Sequence, residues 1–254
     1  MNTIKIASFN IWNSPSNKVS LEDRTLILSN LIERKDFDVV GFQELTYRYT
    51  SILKERLTNY YFTGKYRFPF LLRDFKYNEN NNIITKERVL FSKTNRLPFI
   101  PRLIKDLLKA INLKKWTLTP RIMTRSLIEF NNEKILIINT HLDYRIKDVK
   151  TRQLAFIKRK ITKYIKKYPV VLMGDFNIEH DNPYFKEFIK DLEKLGLNRV
   201  NINKNTYGSS RDGNILDNIF VPNNWKIINS GVFTRGNITK ISDHRMFFVE
   251  CEIK

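Results

Sequence analysis

The chain has 254 residues, enough for one large domain, and its 42% hydrophobic and 13% aromatic content excludes a disordered polymer. A formal charge of +19, from 45 bases against 26 acids, points to a polyanionic partner such as nucleic acid, or to an anionic membrane surface. The lone Cys251 excludes an internal disulfide and a thiolate zinc cluster.

In chain order the pattern alternates strand and helix, with no internal repeat and no Pro/Gly/Ser linker. Met1 to Ile6 runs straight into a strand pattern with no signal-peptide features, and no run approaches the ~20 apolar residues of a membrane span. The expected location is therefore the cytoplasm. Ile4 to Phe9 reads as a strand that delivers Asn10. Ser20 to Lys35 reads as a helix, with capping-box-like spacing of Ser20 and Asp23 and a shared face of Leu21, Leu28, Leu31 and Ile32. Phe37 to Phe42 is a buried strand ending at Gln43-Glu44, and Thr46 to Leu57 a second helix. Asn78 to Asn82 reads as a polar loop. Arg88 to Ser92, Arg125 to Phe130 and Lys134 to Asn139 read as strands, the last two a hairpin over Asn131-Asn132. Thr94 to Thr119, rich in bases and containing an apolar helix candidate from Leu103 to Ile111, reads as an insertion or lid.

Lys147 to Lys167 is an amphipathic helix with Leu154, Ile157, Ile161 and Ile165 on its buried stripe. Its bases, Lys158, Arg159, Lys160 and Lys163 among them, form either a solvated face or a track for nucleic acid. Pro169 to Met173 is an apolar strand ending at Gly174-Asp175. Asn182 to Leu195 is a helix opened by Asn182-Pro183 and closed by Gly196. Strands at Ile215 to Val221 and Arg245 to Ile253 finish the pattern, and Cys251 alternates within the last as a packing residue.

Polar clusters recur at or beside the ends of these apolar runs: Phe9-Asn10-Ile11-Trp12, Gln43-Glu44, Asn139-Thr140-His141-Leu142-Asp143, Gly174-Asp175-Phe176-Asn177, Asp217, and Ser242-Asp243-His244. Strands that end in carboxylates, amides and imidazoles build an oxygen-rich sheet edge. That set suits a hard divalent cation and a phosphate ester. Two of only three histidines fall in these clusters, which argues against satisfied core histidines. The third, His180, reads as loop.

The order of these motifs resembles the endonuclease/exonuclease/phosphatase superfamily with its DNase I-like fold, and the stretch from Asn139 to Asp143 resembles its small, single-domain bacterial members. The resemblance spans Ile4 to Ile253. It implies an α/β fold of two packed mixed β-sheets flanked by helices, a single domain over residues 1–254, and a phosphoesterase dependent on Mg²⁺ or Mn²⁺. It implies Asn10, Glu44 and Asp243 at the metal, and Asp175 orienting or deprotonating the attacking water. Asn177 would hold a phosphate oxygen or the metal, and Asp217 would pair with the catalytic His244. His141 would donate to the scissile phosphate or leaving group. Arg125, with Arg121 as its rival, and Asp143 would complete the phosphate-binding set. Three positions depart from the pattern. Tyr144 stands where a second histidine is usual, Asn218 where an aromatic often follows the aspartate, and Arg245-Met246 where a proline often follows.

Three functions compete. The first is a metal-dependent nuclease with DNA or RNA as substrate, which the charge favours. The second is a phosphoesterase acting on an anionic small molecule or lipid, such as an inositol phosphate or phospholipid head group. The third, a basic binding protein without catalysis, would predict a substituted Glu44, Asp175 or His244, and all three are in place.

Overall fold

Strict alternation along the strands decides the layers of the fold. A computed structural model of the chain describes residues 2–14, 17–69, 78–99, 120–208 and 213–253. Its strands are β1 (Thr3–Asn10), β2 (Val39–Gln43), β3 (Tyr61–Thr63), β4 (Ile83–Thr85), β5 (Arg88–Arg96), β6 (Ile122–Phe130), β7 (Glu133–His141), β8 (Val170–Asp175), β9 (Leu197–Arg199), β10 (Asp217–Pro222), β11 (Lys226–Val232) and β12 (Phe247–Glu252). They form two six-stranded sheets, ordered β11-β12-β1-β2-β4-β3 and β5-β6-β7-β8-β10-β9. Each sheet has one parallel pair, β1 with β2 and β7 with β8, and antiparallel neighbours on both sides of it. The two mixed sheets expected from the sequence are therefore present.

Ile4 and Ile6 of β1, Ile135 and Ile137 of β7, Val171 and Met173 of β8 and Ile219 of β10 point between the sheets and form the central core. The alternate residues point outward. Ala7, Phe9, Val40 and Phe42 pack under the helices of the first sheet; Leu136, Ile138, Leu172 and Phe220 pack under those of the second. Among the described residues these helices are α1 (Leu21–Lys35), α2 (Tyr47–Arg56), α3 (Lys147–Tyr164) and α4 (Pro183–Lys194). The result is a four-layer stack, helix on sheet on sheet on helix.

Local chemistry sets the helix starts. Ser20 Oγ accepts the backbone N–H of Asp23 at 3.0 Å, as the capping-box spacing predicts. Thr46 caps α2 through the N–H of Tyr49 at 3.4 Å. Asn182 caps α4 through the N–H of Tyr184 at 3.3 Å, with Pro183 at its first position. Two glycines permit close backbone approach. A Cβ on Gly41 would stand 2.7 Å from the Met173 side chain across the core, and Gly174 (φ +143°) lies against the Thr140 carbonyl of β7, where no Cβ fits.

The structure alters several sequence expectations. The strand at Arg88 extends to Arg96, so the front of the expected lid is strand; residues 100–119, including the helix candidate from Leu103 to Ile111, lie outside the described residues. The helix from Lys147 ends at Tyr164 rather than Lys167. The expected polar loop Asn78 to Asn82 is buried throughout, because its amides tie backbone groups between layers. Asn81 Nδ2 donates to the Ile122 carbonyl at 2.6 Å, and the Asn82 carbonyl accepts from Asn139 Nδ2 at 2.8 Å. Strands β3, β4, β9 and β11 carried no readable signal. Three are only three residues long, and β11 is a largely exposed edge. No described helix is long and apolar enough to cross a membrane.

Candidate active site

The same alternation that fills the core places the polar residues. Asn10, His141 and Asp175 continue the inward-facing series of β1, β7 and β8 at the carboxyl ends of these strands, and Glu44 follows β2 directly. Asp217 opens β10 and pairs with Asp175 across an antiparallel ladder. His244 precedes β12, which runs antiparallel to β1. Carboxyl ends of parallel strands and amino ends of their antiparallel partners thus meet at one edge of both sheets. Sequence reasoning placed these six groups at this edge from strand ends alone.

All of them but Asp217, which lies behind His244, line a cleft of about 1140 Å³ together with Trp12, Arg67, Glu79, Arg121, Asp143, Tyr144, Arg145, Lys150, Asn177, Tyr207 and Asp243. A continuous polar chain crosses its floor. Asp217 Oδ2 stands 2.9 Å from His244 Nδ1, and His244 Nε2 stands 3.6 Å from Asp175 Oδ2. Asn10 Nδ2 donates to that same Asp175 oxygen at 2.9 Å and to Glu44 Oε1 at 3.3 Å. His141 Nε2 approaches Asp175 Oδ2 from another side, at 3.5 Å. Ser242 Oγ donates to the Asn10 carbonyl at 2.7 Å and accepts the N–H of His244 at 3.0 Å, clamping the two ends of the sequence together.

Electrostatics separate the two histidines. Burial opposes charge on His244, but Asp217 and Asp175 outweigh it and raise its pKa to about 10. Burial, Arg121, Arg67 and His244 all depress His141, so it is neutral. Burial raises Asp175 to about 6, with the His244 charge pulling the other way, so it is ionised and weakly basic at neutral pH. An imidazolium and a neutral imidazole therefore flank one carboxylate.

A divalent cation fits the opposite side of the floor. Glu44 and Asp243 both line the cleft; burial, with Glu44 as the nearby like charge, raises the Asp243 pKa. Asp243 Oδ1 is buried with no hydrogen-bond partner among the described residues. Two close carboxylates with an unsatisfied oxygen, beside the Asn10 amide, make a hard-oxygen donor set. Asp175, Asp217 and His244 also bring one ligand atom each within 4.8 Å of one another. That trio is better read as a hydrogen-bonded relay, since His244 Nδ1 already occupies Asp217 Oδ2. Glu44 itself is in the left-handed region (φ +62°), with Asn13 N–H on its Oε2 at 2.7 Å.

Other expected residues are placed differently. Arg125 does not line the cleft. Its neighbours Thr124 and Ser126 face the other sheet, so Arg125 faces outward, where it donates to Asn95 Oδ1 at 2.9 Å and lies 5.1 Å from the Tyr164 ring centre. Arg121, its rival, lines the cleft with Nη1 at 3.1 and 3.2 Å from the two His141 ring nitrogens. Asp143 lines it too, but its Oδ1 accepts the N–H groups of Arg145 and Ile146, both at 2.8 Å, so it folds the loop. Asn177 is not extended; it turns left-handed (φ +50°) and donates to the Leu142 carbonyl at 3.0 Å. His180 is exposed and off the cleft. The α3 bases Lys158, Arg159, Lys160 and Lys163 lie outside it as well, and Lys158 is held by Asp191 at 2.6 Å.

The sequence reading missed Arg67 and Glu79, a buried ion pair in the cleft wall, and Tyr207, whose ring centre lies 4.9 Å from that of His244. A single Glu within a five-residue Asn run was the one available signal for the pair. Phe176 was passed over inside its motif. It packs on Phe185, Phe188 and Phe220 with ring centres 5.3 to 6.2 Å away, which anchors Asp175 to the outer core.

The sequence model of the "Endonuclease/Exonuclease/phosphatase family" matches residues 7–244. A comparison with curated protein sequences finds no match. Among solved structures, the chain is similar to an endonuclease/exonuclease/phosphatase from Bacteroides vulgatus (20% identity, all of both chains covered, TM-score 0.80). It is also similar to a mannosyl-6-phosphatase of Bacteroides thetaiotaomicron (19% identity, 98% of this chain and 100% of that one, TM-score 0.77). A third likeness is to D. rerio TDP2 complexed with a single-strand DNA product (15% identity, all of both chains, TM-score 0.73).

Proposed function

The chain belongs to the endonuclease/exonuclease/phosphatase family, whose members are phosphoester hydrolases, and on that premise we propose that it is a divalent-metal-dependent nuclease hydrolysing phosphodiester bonds in DNA or RNA. The observation that carries the chemistry is Asp175, an anionic carboxylate with a pKa near 6, held between a cationic His244 and a neutral His141. The charge of +19 and the arginines in the cleft wall support a polyanionic substrate.

Glu44, Asp243 and Asn10 would hold Mg²⁺ or Mn²⁺, which when bound polarises a phosphoryl oxygen and neutralises charge developing there. Asp175 Oδ2 accepts the proton of the attacking water; a base near pH 7 in strength is matched to that task. The Asp217 carboxylate orients the His244 imidazolium, with Nδ1–H turned to the carboxylate and Nε2–H available to a phosphoryl oxygen. Neutral His141, beside the guanidinium of Arg121, offers one N–H to the leaving oxygen, while Arg121 binds the phosphate.

A second reading, a phosphatase or phosphodiesterase for a phosphorylated small molecule or lipid head group, is supported by the likeness to a mannosyl-6-phosphatase. The test is turnover by the purified protein, with Mg²⁺ or Mn²⁺, on plasmid, oligonucleotides, RNA and inositol phosphates. Cleavage confined to the inositol phosphates would replace the nuclease reading with the second.

A further inference from the structure

We propose that Tyr144 and Arg145, next to Arg121, form a second phosphate subsite, which selects substrates carrying another phosphate next to the one that is cleaved. The inference rests on the phosphoester reading above and deepens it.

Tyr144 is one of the three positions that depart from the family pattern, and it is the one in the cleft wall. It lines the cleft with half of its surface exposed. Two guanidinium groups lie at its ring: Arg145 Cζ at 4.4 Å from the centroid and Arg121 Cζ at 5.8 Å. Arg121 in turn touches both ring nitrogens of His141, whose other neighbour is Asp175. His141, Arg121, Tyr144 and Arg145 therefore form a ladder running outward from the cleavage point.

The two arginines also differ from the other cations of the cleft wall. Arg67, the other arginine in the wall, is neutralised by Glu79, and the Lys150 ammonium donates to the Asn177 carbonyl at 3.2 Å. Neither Arg121 nor Arg145 has an ion-pair partner among the described residues. Their charge faces the cleft, where a phosphate would satisfy it bidentately. The loop is held in shape. Asp143 Oδ1 accepts the N–H of Arg145, and Gln153 Oε1 accepts the N–H of Asp143 at 2.8 Å. α3 begins just beyond Arg145, with Ile146 at its N-cap and Asp143 Oδ1 accepting the Ile146 N–H, so the start of the helix fixes where Arg145 stands. One station, at His141 and Arg121, takes the scissile phosphate. The next, at Arg145, takes its neighbour, and the Tyr144 ring sets the spacing between them.

The neighbouring phosphate belongs either to a nucleic-acid backbone or to a polyphosphorylated small molecule, and paired ligands separate the two. Binding of TpT against pTpT, and of an inositol monophosphate against an inositol bisphosphate, is measured by calorimetry without metal. The wild type should prefer the richer member of at least one pair by about tenfold, the scale of one good charge-assisted contact. The pair that shows the preference identifies the source. Tyr144→Leu is the decisive variant, because it leaves the net charge unchanged. It and Arg145→Gln should each cut the preference to below about threefold, while Tyr144→Phe should keep it. No preference in either pair, or an undiminished preference in Tyr144→Leu, overturns the subsite. Hydrolysis is measured separately with Mg²⁺. A wild type that hydrolyses neither these four nor the plasmid, oligonucleotide and RNA substrates would sink the phosphoester reading, while the binding ratios would still decide the subsite.

Discussion

Asp217 Oδ2 lies 2.9 Å from Nδ1 of His244, and this contact decides the charge of the imidazole. Both residues are nearly fully buried, so the carboxylate acts through little intervening water. His244 keeps its proton through neutral pH as a result, while His141, across Asp175, does not.

That contact predicts a pH-dependent stability. A histidine raised to about 10 from an ordinary 6.5 stabilises the fold fully below pH 6.5, and this contribution fades as pH rises through 10. Asp217→Asn removes the charge and lowers the His244 pKa. In metal-free urea titrations the wild type should exceed the variant by at least ~1 kcal/mol at pH 6, and the gap should close towards pH 10. A gap of constant size from pH 6 to 10 would contradict the assignment.

Glu44→Gln should weaken Mg²⁺ or Mn²⁺ binding and cut turnover by at least ~10², the scale of losing one key electrostatic stabiliser. Wild-type activity should vanish in EDTA and return on adding either ion. Full turnover in EDTA would remove the cation from the account.

Asp175→Asn and His244→Ala should each abolish most activity with the fold intact by circular dichroism. The two groups share an oxygen contact at 3.6 Å and one chemical step, so the double variant should lose little more than the worse single. Multiplicative losses would show that they act independently.

The Arg67–Glu79 pair should behave as a buried ion pair. Arg67→Met or Glu79→Met alone leaves one buried group without its partner and should cost roughly 3–5 kcal/mol. The double Met variant should recover much of that loss. Equal or additive losses in thermal melts would mean that the pair is effectively solvated.

The sequence disclosed what periodicity controls. Asn10, Glu44, His141 and Asp175 sit at or just after ends of parallel strands, where an apolar run stops at a polar group. The four-layer stack follows from the alternation of Ile4, Ile6, Ile135 and Ile137 with outward neighbours. Arg125 went astray because its place was taken from motif order; counting faces from Thr124 and Ser126 would have turned it outward. Asn78 to Asn82 looked like a surface loop because amide-rich runs usually are. Here the amides replace ladder partners inside the protein, which only the tertiary contacts reveal. Arg67 and Tyr207 lie on irregular segments with no period to read.

Asn10 and His244 touch across 234 residues of sequence, and β12 must dock on β1 to bring them together. Closing so long a loop is among the slow, entropically costly events of folding. The reacting groups are therefore scattered until nearly the whole chain has been made and has condensed. A chain that ended before Asp243 would lack the cationic imidazole and one of the two carboxylates proposed to hold the cation. Hydrolytic power would thus appear at the end of folding rather than build up along it.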